Sequence, residues 1–203
     1  MFREEPIVRR DFTVYGYEIL TWQGKLGNNR EAVSLICSKV RKQRNVRLFI
    51  NFPPTFVMFM PPDVKQLLLE LNKIVPVVIE IIEVEPYTPD ALPVLPFPYS
   101  VDDWGTGYSN LELLIRILKL PNFRYVKIDR KIFAPLLKSG EGRRFLSSLT
   151  ELLHAEGKVP IFEKVESRKE FEELCYLSPE NALFQGFYVM DVLRYSKETK
   201  SRD

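Results

Sequence analysis

Seven short apolar segments of this 203-residue chain end in polar residues that a core strand would not choose: Glu18, Asn51, Glu80, Asp102 with Asp103, Lys127, Glu163 and Gln185. If these segments are strands of one parallel barrel, their C-terminal ends meet on a single face, which is where such barrels carry their active sites. Five carboxylates and an asparagine aimed at one cavity repel one another unless cations compensate them. An all-oxygen set of this kind suits hard divalent ions such as Mg²⁺ or Mn²⁺. Adjacent Asp102 and Asp103 allow one carboxylate to bridge two ions while the other helps hold the second, an arrangement suited to in-line attack on a phosphodiester. Lys127 suits neutralising a phosphate or orienting a water. Taken singly, each residue has a plainer role. A carboxylate after a strand is commonly a helix cap or a surface group, the aspartate pair can open a turn before Gly105 and Gly107, and Lys127 can form a buried ion pair with Asp129 or Glu163. The convergence of all of them weakens the plain reading.

The elements that must position these residues follow from the apolar rhythm. Strands are expected over 6–10, 13–20, 47–51, 77–81, 98–103, 124–129, 159–163 and 182–186, and amphipathic helices over 30–44, 64–73, 110–119, 142–156 and 168–177, the last with Ser167 as N-cap. Only Asp11 and Phe12 separate the first two strands. That is too short for a parallel crossover, so the pair should be an antiparallel hairpin. Five prolines between Glu83 and Ser100 exclude a full helix there. The apolar run from Phe56 to Met60, stopped by Pro61 and Pro62, reads as core or the edge of a turn. The fold class is therefore α/β: an irregular TIM-like (β/α) barrel with an antiparallel first strand and shortened helices, a doubly wound open sheet being the alternative from rhythm alone. One domain over 1–192 and a polar tail over 193–203 are expected.

Charge and composition narrow the function classes. With 29 Lys+Arg against 27 Asp+Glu the net charge is +2, which gives no call for a nucleic acid polymer or an anionic membrane. Basic residues gather at Lys39, Arg41, Lys42, Arg44 and Arg47, where they suit an anionic ligand or, more simply, complement the C-terminus of the first helix. Cys37 and Cys175 stand far apart and read as reduced thiols. A single histidine, His154, argues against a His-rich zinc site. No run approaches the roughly 20 apolar residues of a membrane span, and MFREEPIVRR carries charges where a signal peptide has its apolar core. A cytoplasmic location without membrane attachment is expected.

In chain order the segments Gly16-Tyr17-Glu18-Ile19-Leu20, Ile50-Asn51-Phe52-Pro53, Glu80-Ile81-Ile82-Glu83, DDWGTGYSNL (102–111), Val126-Lys127-Ile128-Asp129-Arg130, Phe162-Glu163-Lys164-Val165-Glu166 and Phe184-Gln185-Gly186-Phe187 match one pattern. From about Pro6 to Val192 the chain resembles the EAL domain family of cyclic di-GMP phosphodiesterases. The resemblance implies that Glu18, Asn51, Glu80 and Asp102 hold one Mg²⁺ or Mn²⁺ ion and that Asp102 and Asp103 serve a second. It implies that Lys127 orients a water or a phosphate oxygen, that Glu163 holds or deprotonates the water, and that Gln185 positions that side of the site. Glu83 matches a glutamate that steadies the loop after the aspartates, and Glu166 an acid behind the first ring of residues. The implied reaction opens cyclic di-GMP to linear pGpG, and the implied partners are cyclic di-GMP with a homodimer mate or a regulatory protein. Departures are Thr21 and Trp22 where the family has a phosphate-contacting arginine, Ile82 for threonine, Phe162 for alanine, Lys164 for glycine, a short passage between Glu18 and Asn51, and the proline-rich segment in place of a helix. They leave open a degenerate domain that serves as a cyclic di-GMP receptor or protein-interaction module without turnover. Trp22, Phe52 and Trp104 are candidates for stacking on guanine or for packing at the barrel mouth.

Overall fold

The computed structural model describes residues 2–21 and 46–200. Eight strands close into a barrel in chain order: β1 (Phe2–Val8), β2 (Val14–Thr21), β3 (Arg47–Phe52), β4 (Val77–Ile81), β5 (Tyr99–Trp104), β6 (Phe123–Ile128), β7 (Val159–Phe162) and β8 (Leu183–Phe184). β1 runs antiparallel to both of its neighbours, β2 and β8, and every other pairing is parallel. The barrel and its reversed first strand are as the spacing requires. Phe12, with φ 62°, makes the tight reversal, and Asp11 accepts hydrogen bonds from the Thr13 amide and hydroxyl to fasten it.

The helices are α1 (Pro54–Met58), α2 (Pro62–Asn72), α3 (Leu111–Leu118), α4 (Arg130–Leu136), α5 (Gly140–Ala155), α6 (Arg168–Leu177) and α7 (Phe187–Lys200). Four of them start where a side chain satisfies an amide of the first turn: Asn110 accepts from Leu113, Asp129 from Lys131, Ser139 from Gly142 and Ser167 from Glu170. The proline-rich passage holds only a 3₁₀ turn at Pro89–Ala91, because proline removes the amides a longer helix needs. Two local readings change. The apolar run at 56–60 lies largely in α1, with Val57 buried and Phe59 exposed. Helix α7 carries on through most of the segment expected as a polar tail. The helix expected over 30–44, together with Trp22, Cys37 and the basic residues from Lys39 to Arg44, lies outside the described residues. Arg47 lies inside them and stacks its guanidinium 4.4 Å over the Tyr15 ring, a cation–π contact rather than a helix end.

Strand alternation sorts the side chains into two sets. Leu48, Ile50, Phe52, Val77, Ile79, Ile81, Val126, Ile128, Phe162 and Phe184 face outward into the layer that packs under the helices. Ile7, Phe49, Val78, Tyr125, Ile161 and Leu183 fill the barrel interior. Two residues further along the same strands, the inward positions become Asn51 after Phe49, Glu80 after Val78, Lys127 after Tyr125, Glu163 after Ile161 and Gln185 after Leu183. An apolar plug therefore closes the barrel beneath a polar layer at its C-terminal mouth.

Candidate active site

The aspartate pair shows how local backbone makes the site. In a regular strand neighbours point to opposite faces, yet Asp102 and Asp103 both line the cleft at the barrel mouth. The β5–β6 register slips between Val101 and Trp104, and Asp103 has φ 44°. This bulge turns the second aspartate back toward the first, in a left-handed conformation that aspartate tolerates better than most residues. The loop that follows is tied to Glu83, which accepts a 2.6 Å hydrogen bond from the Thr106 hydroxyl and one from the Ser109 amide. Gly107 is required here: its φ is 43°, and a Cβ would come within 2.9 Å of a Glu83 oxygen. Gly107→Ala is expected to cost about 1–3 kcal/mol of stability, read as a lower urea midpoint; an unchanged midpoint would show that the loop does not depend on the Glu83 clamp.

At the centre stands Lys127, fully buried, its ammonium 2.6 Å from Glu80, 2.8 Å from Glu163, 3.0 Å from Glu18 and 3.1 Å from Asp102. Its expected partner Glu163 is confirmed, and Asp129 is not: that carboxylate contacts Lys164 instead. Glu18 is fixed on its other sides by Asn51, which donates at 2.9 Å, and by Gln185, which donates at 2.6 Å and also reaches Glu5 at 3.2 Å. Four carboxylates around one ammonium leave an excess of negative charge, and the carboxyls share it unequally. Burial pushes Glu18 up, but Lys127 and the hydrogen bonds from Asn51 and Gln185 override it and hold the group at about 2. Burial dominates at Asp102, which sits at about 6 against the pull of Lys127, with Glu18 and Asp103 adding to the rise. Glu80 and Glu163 are pushed well above the ordinary carboxylate range by burial and by the neighbouring negative charges, despite Lys127. Burial opposes the Lys127 charge, and its four carboxylates outweigh that opposition and keep it protonated.

The donor set fits a divalent cation. Asn51 Oδ1, Glu80 Oε2, Glu163 Oε2 and Gln185 Oε1 are buried without a hydrogen-bond partner among the described residues, a costly state for oxygens unless something electropositive meets them. Asp102, Asp103 and Glu163 each offer an oxygen within 4.8 Å of the others. The cleft above holds about 560 Å³, within the range of small-ligand sites.

Nine of the ten residues singled out from the sequence stand at this mouth. Glu18, Asn51, Asp102, Asp103, Glu163, Gln185 and Glu83 line the cleft, with Glu80 and Lys127 beneath, joined to them by the ion pairs. Glu166 does not join them: it pairs with Arg130 at 3.1 Å on the flank, where Arg130 also holds Glu170. Phe52 and Trp104 are packing residues, Phe52 stacked on Phe56 and Trp104 donating from its indole to the Asn110 carbonyl. Among the cleft residues outside the sequence reading of the site, three could take part in its chemistry. Glu5 faces Glu18 across the hairpin, Phe187 is exposed at the start of α7, and Lys164 reaches Asp103 at 2.6 Å. The hairpin register and the QGF match held the signal for the first two; Lys164 stood out as a departure from the family's glycine.

Three comparisons bear on what this arrangement is. The model of the EAL domain matches residues 30–191. Cyclic di-GMP phosphodiesterase PdeH of Escherichia coli is 34% identical over 77 residues, which are 38% of this chain and 29% of that protein. Among solved structures, the EAL domain of Mycobacterium smegmatis DcpA superposes with a TM-score of 0.70 at 24% identity, covering 93% of this chain and 88% of that one. The manganese and cyclic di-GMP complex of Klebsiella pneumoniae BlrP1 gives 0.65 at 24%, covering 92% of this chain and 54% of that one. The solved structures agree with the barrel, and the family model spans most of the sequence that builds the acidic mouth. The chain belongs to the EAL domain family.

Proposed function

We propose that this chain is a cyclic di-GMP phosphodiesterase that uses two divalent ions, Mg²⁺ or Mn²⁺, to open its substrate to linear pGpG. The observation that carries the reading is the set of four buried oxygens on Asn51, Glu80, Glu163 and Gln185 without a partner among the described residues, in a mouth whose central ammonium cannot balance the four carboxylates around it. Glu18, Asn51, Glu80 and Asp102 would hold one ion, and Asp102 and Asp103 the other, with Glu163 beside them. Bound there, the ions supply charge compensation for the phosphate and lower the pKa of a water. The relative PdeH, named as a cyclic di-GMP phosphodiesterase, supports the substrate.

The chain's own groups then divide the remaining work. Glu163, its carboxyl pushed well above the ordinary range in the ion-free chain, would give up its proton when the ions load and then take one from water. Lys127 keeps its charge and fixes Glu18, Glu80, Asp102 and Glu163 in one frame. Gln185 holds Glu18 in place through its 2.6 Å bond. Phe187, exposed at the cleft, offers a ring face on which a guanine can stack. Glu83 keeps the loop carrying the aspartates in position.

The test is incubation of the purified chain with cyclic di-GMP and either Mg²⁺ or Mn²⁺, with substrate and pGpG resolved by chromatography and Glu18→Ala alongside. Product that disappears in the variant supports the enzyme. Cyclic di-GMP binding without product in either ion would leave a receptor in its place.

Ion binding also carries a pH signature. Asp102 at about 6, with Glu80 and Glu163 also pushed well above the ordinary carboxylate range, binds protons in the ion-free folded state that the unfolded chain releases at lower pH. Their contribution to stability is full below the ordinary carboxylate range and is lost as pH rises out of that range, for Asp102 through about 6. Glu18, held at about 2, works the other way, but its contribution is lost only in acid below its ordinary value. The ion-free protein is therefore expected to melt at a higher temperature near pH 5 than near pH 8, and Mn²⁺ to raise the melting temperature more near pH 8. Equal Mn²⁺ shifts at both pH values would contradict binding at these carboxyls.

A further inference from the structure

Lys164 is the cation at the mouth that the reaction does not call for. It follows Glu163 directly and has φ 59°, a left-handed conformation that a lysine reaches only at some cost. That conformation sends its side chain into the same cleft as Glu163, where regular alternation would send it away. Its ammonium lies 2.6 Å from Asp103 Oδ1 and contacts Asp129 on the other side. Asp103 is one of the three carboxylates whose oxygens fall within 4.8 Å of one another. A second of the three, Glu163, is 5% exposed with an oxygen that has no partner among the described residues, so this corner has room for a positive charge beyond the one Lys127 supplies.

We propose that Lys164 is a built-in rival of the second ion, its ammonium holding Asp103 until a divalent cation displaces it. The inference rests on the two-ion reading above and says how those ions load. A dication and an ammonium cannot share one carboxylate oxygen, so the second ion takes Asp103 Oδ1 only when Lys164 swings aside. The geometry permits this: the lysine side chain is half exposed on a flexible four-carbon stem, and Asp129 keeps its 2.6 Å bond from the Lys131 amide when the lysine leaves. The first ion is spared, because Lys164 contacts Asp103 and Asp129 rather than Glu18 or Glu80, and Lys127 leaves Glu80 Oε2 and Asn51 Oδ1 without a partner among the described residues. The chain therefore fills one site at low ion concentration and becomes fully loaded only at high concentration, which makes Lys164 the residue that sets the divalent-ion requirement.

Calorimetric titration of the ion-free full chain with MnCl₂ tests this, in parallel with Lys164→Met, which keeps the stem and removes the charge, and Lys164→Gly, which also relieves the backbone. Wild type is expected to show two sites of clearly separated affinity. In both variants the weaker site should tighten by at least about tenfold, with the tighter one changed by less than about twofold. Circular dichroism establishes that each variant is folded, and the glycine variant stands in if the methionine one is not. Two wild-type sites of equal affinity, or a weaker site unmoved in the folded variants, overturn the role of Lys164 and leave the two-ion reading intact. No Mn²⁺ bound by any of the three proteins removes the two-ion reading and this inference with it.

Discussion

Lys127→Met is expected to be the most damaging single change at the barrel mouth, to folding as well as to turnover. The ammonium is fully buried and lies within 3.1 Å of four carboxylates. Removing it leaves those acids facing one another in a low-dielectric interior, and losing one partner of a buried ion pair typically costs about 3–5 kcal/mol. For a chain of this length that is a fall of roughly 6–20 °C in melting temperature. The acids have an escape, which is to take up protons, so the loss should be smaller near pH 5 than near pH 8, in the same sense as the ion-free wild type. Turnover should fall by at least about a hundredfold even where the variant is folded, because the frame that sets Glu18, Glu80, Asp102 and Glu163 is gone. Mn²⁺ should recover more stability in the variant than in wild type, since it enters a cluster with one cation fewer. A melting temperature within about 2 °C of wild type in ion-free buffer at pH 8, a shift of less than about 1 kcal/mol, would show that the four ion pairs do not hold this mouth together.

The frame was legible in the sequence because it depends on periodicity. Inward positions recur every second residue, so Phe49 and Asn51, Val78 and Glu80, or Tyr125 and Lys127 could be assigned to plug and mouth once the strands were placed. The two-residue separation of the first strands likewise fixed the antiparallel hairpin. Periodicity did not show the departures from regular backbone, although both aspartates were placed at the site. Asp102 and Asp103 share a cleft only because of the bulge and a positive φ. Lys164 enters it through a positive φ of its own. Glu166 and Asp129 illustrate the other limit: which carboxylate pairs with which cation depends on side-chain reach across elements, and Arg130 captured the first while Lys164 captured the second. The helix running through most of the expected tail was missed because α7 begins in the site, with Phe187 at its start and a polar continuation that carries little apolar pattern of its own.

Glu163→Gln separates the proton-handling role from the structural one. The amide keeps the size and one oxygen of the side chain but is not basic, so a water bound beside it has nowhere close to deliver its proton. Loss of a positioned general base typically costs about 10²–10⁴ in rate, and here the fall should appear in kcat rather than in the affinity for cyclic di-GMP. The fold should tolerate the change better than it tolerates Lys127→Met. Burial and the charges of Asp102, Glu18 and Asp103 already push Glu163 toward its neutral form, and Lys127 retains three carboxylate partners. The ion-free variant should therefore melt near the wild-type temperature at pH 5 and at or above it near pH 8, where wild type has lost the benefit of the neutral acid. The pH profile gives the sharper readout: the limb of the kcat profile that reports ionisation of the base in wild type should be absent from the variant's residual activity. If Glu163→Gln instead left kcat within a few-fold of wild type, the proton would have to leave by another route, and among the cleft carboxylates Asp103, already held by Lys164 at 2.6 Å, would be the next to replace.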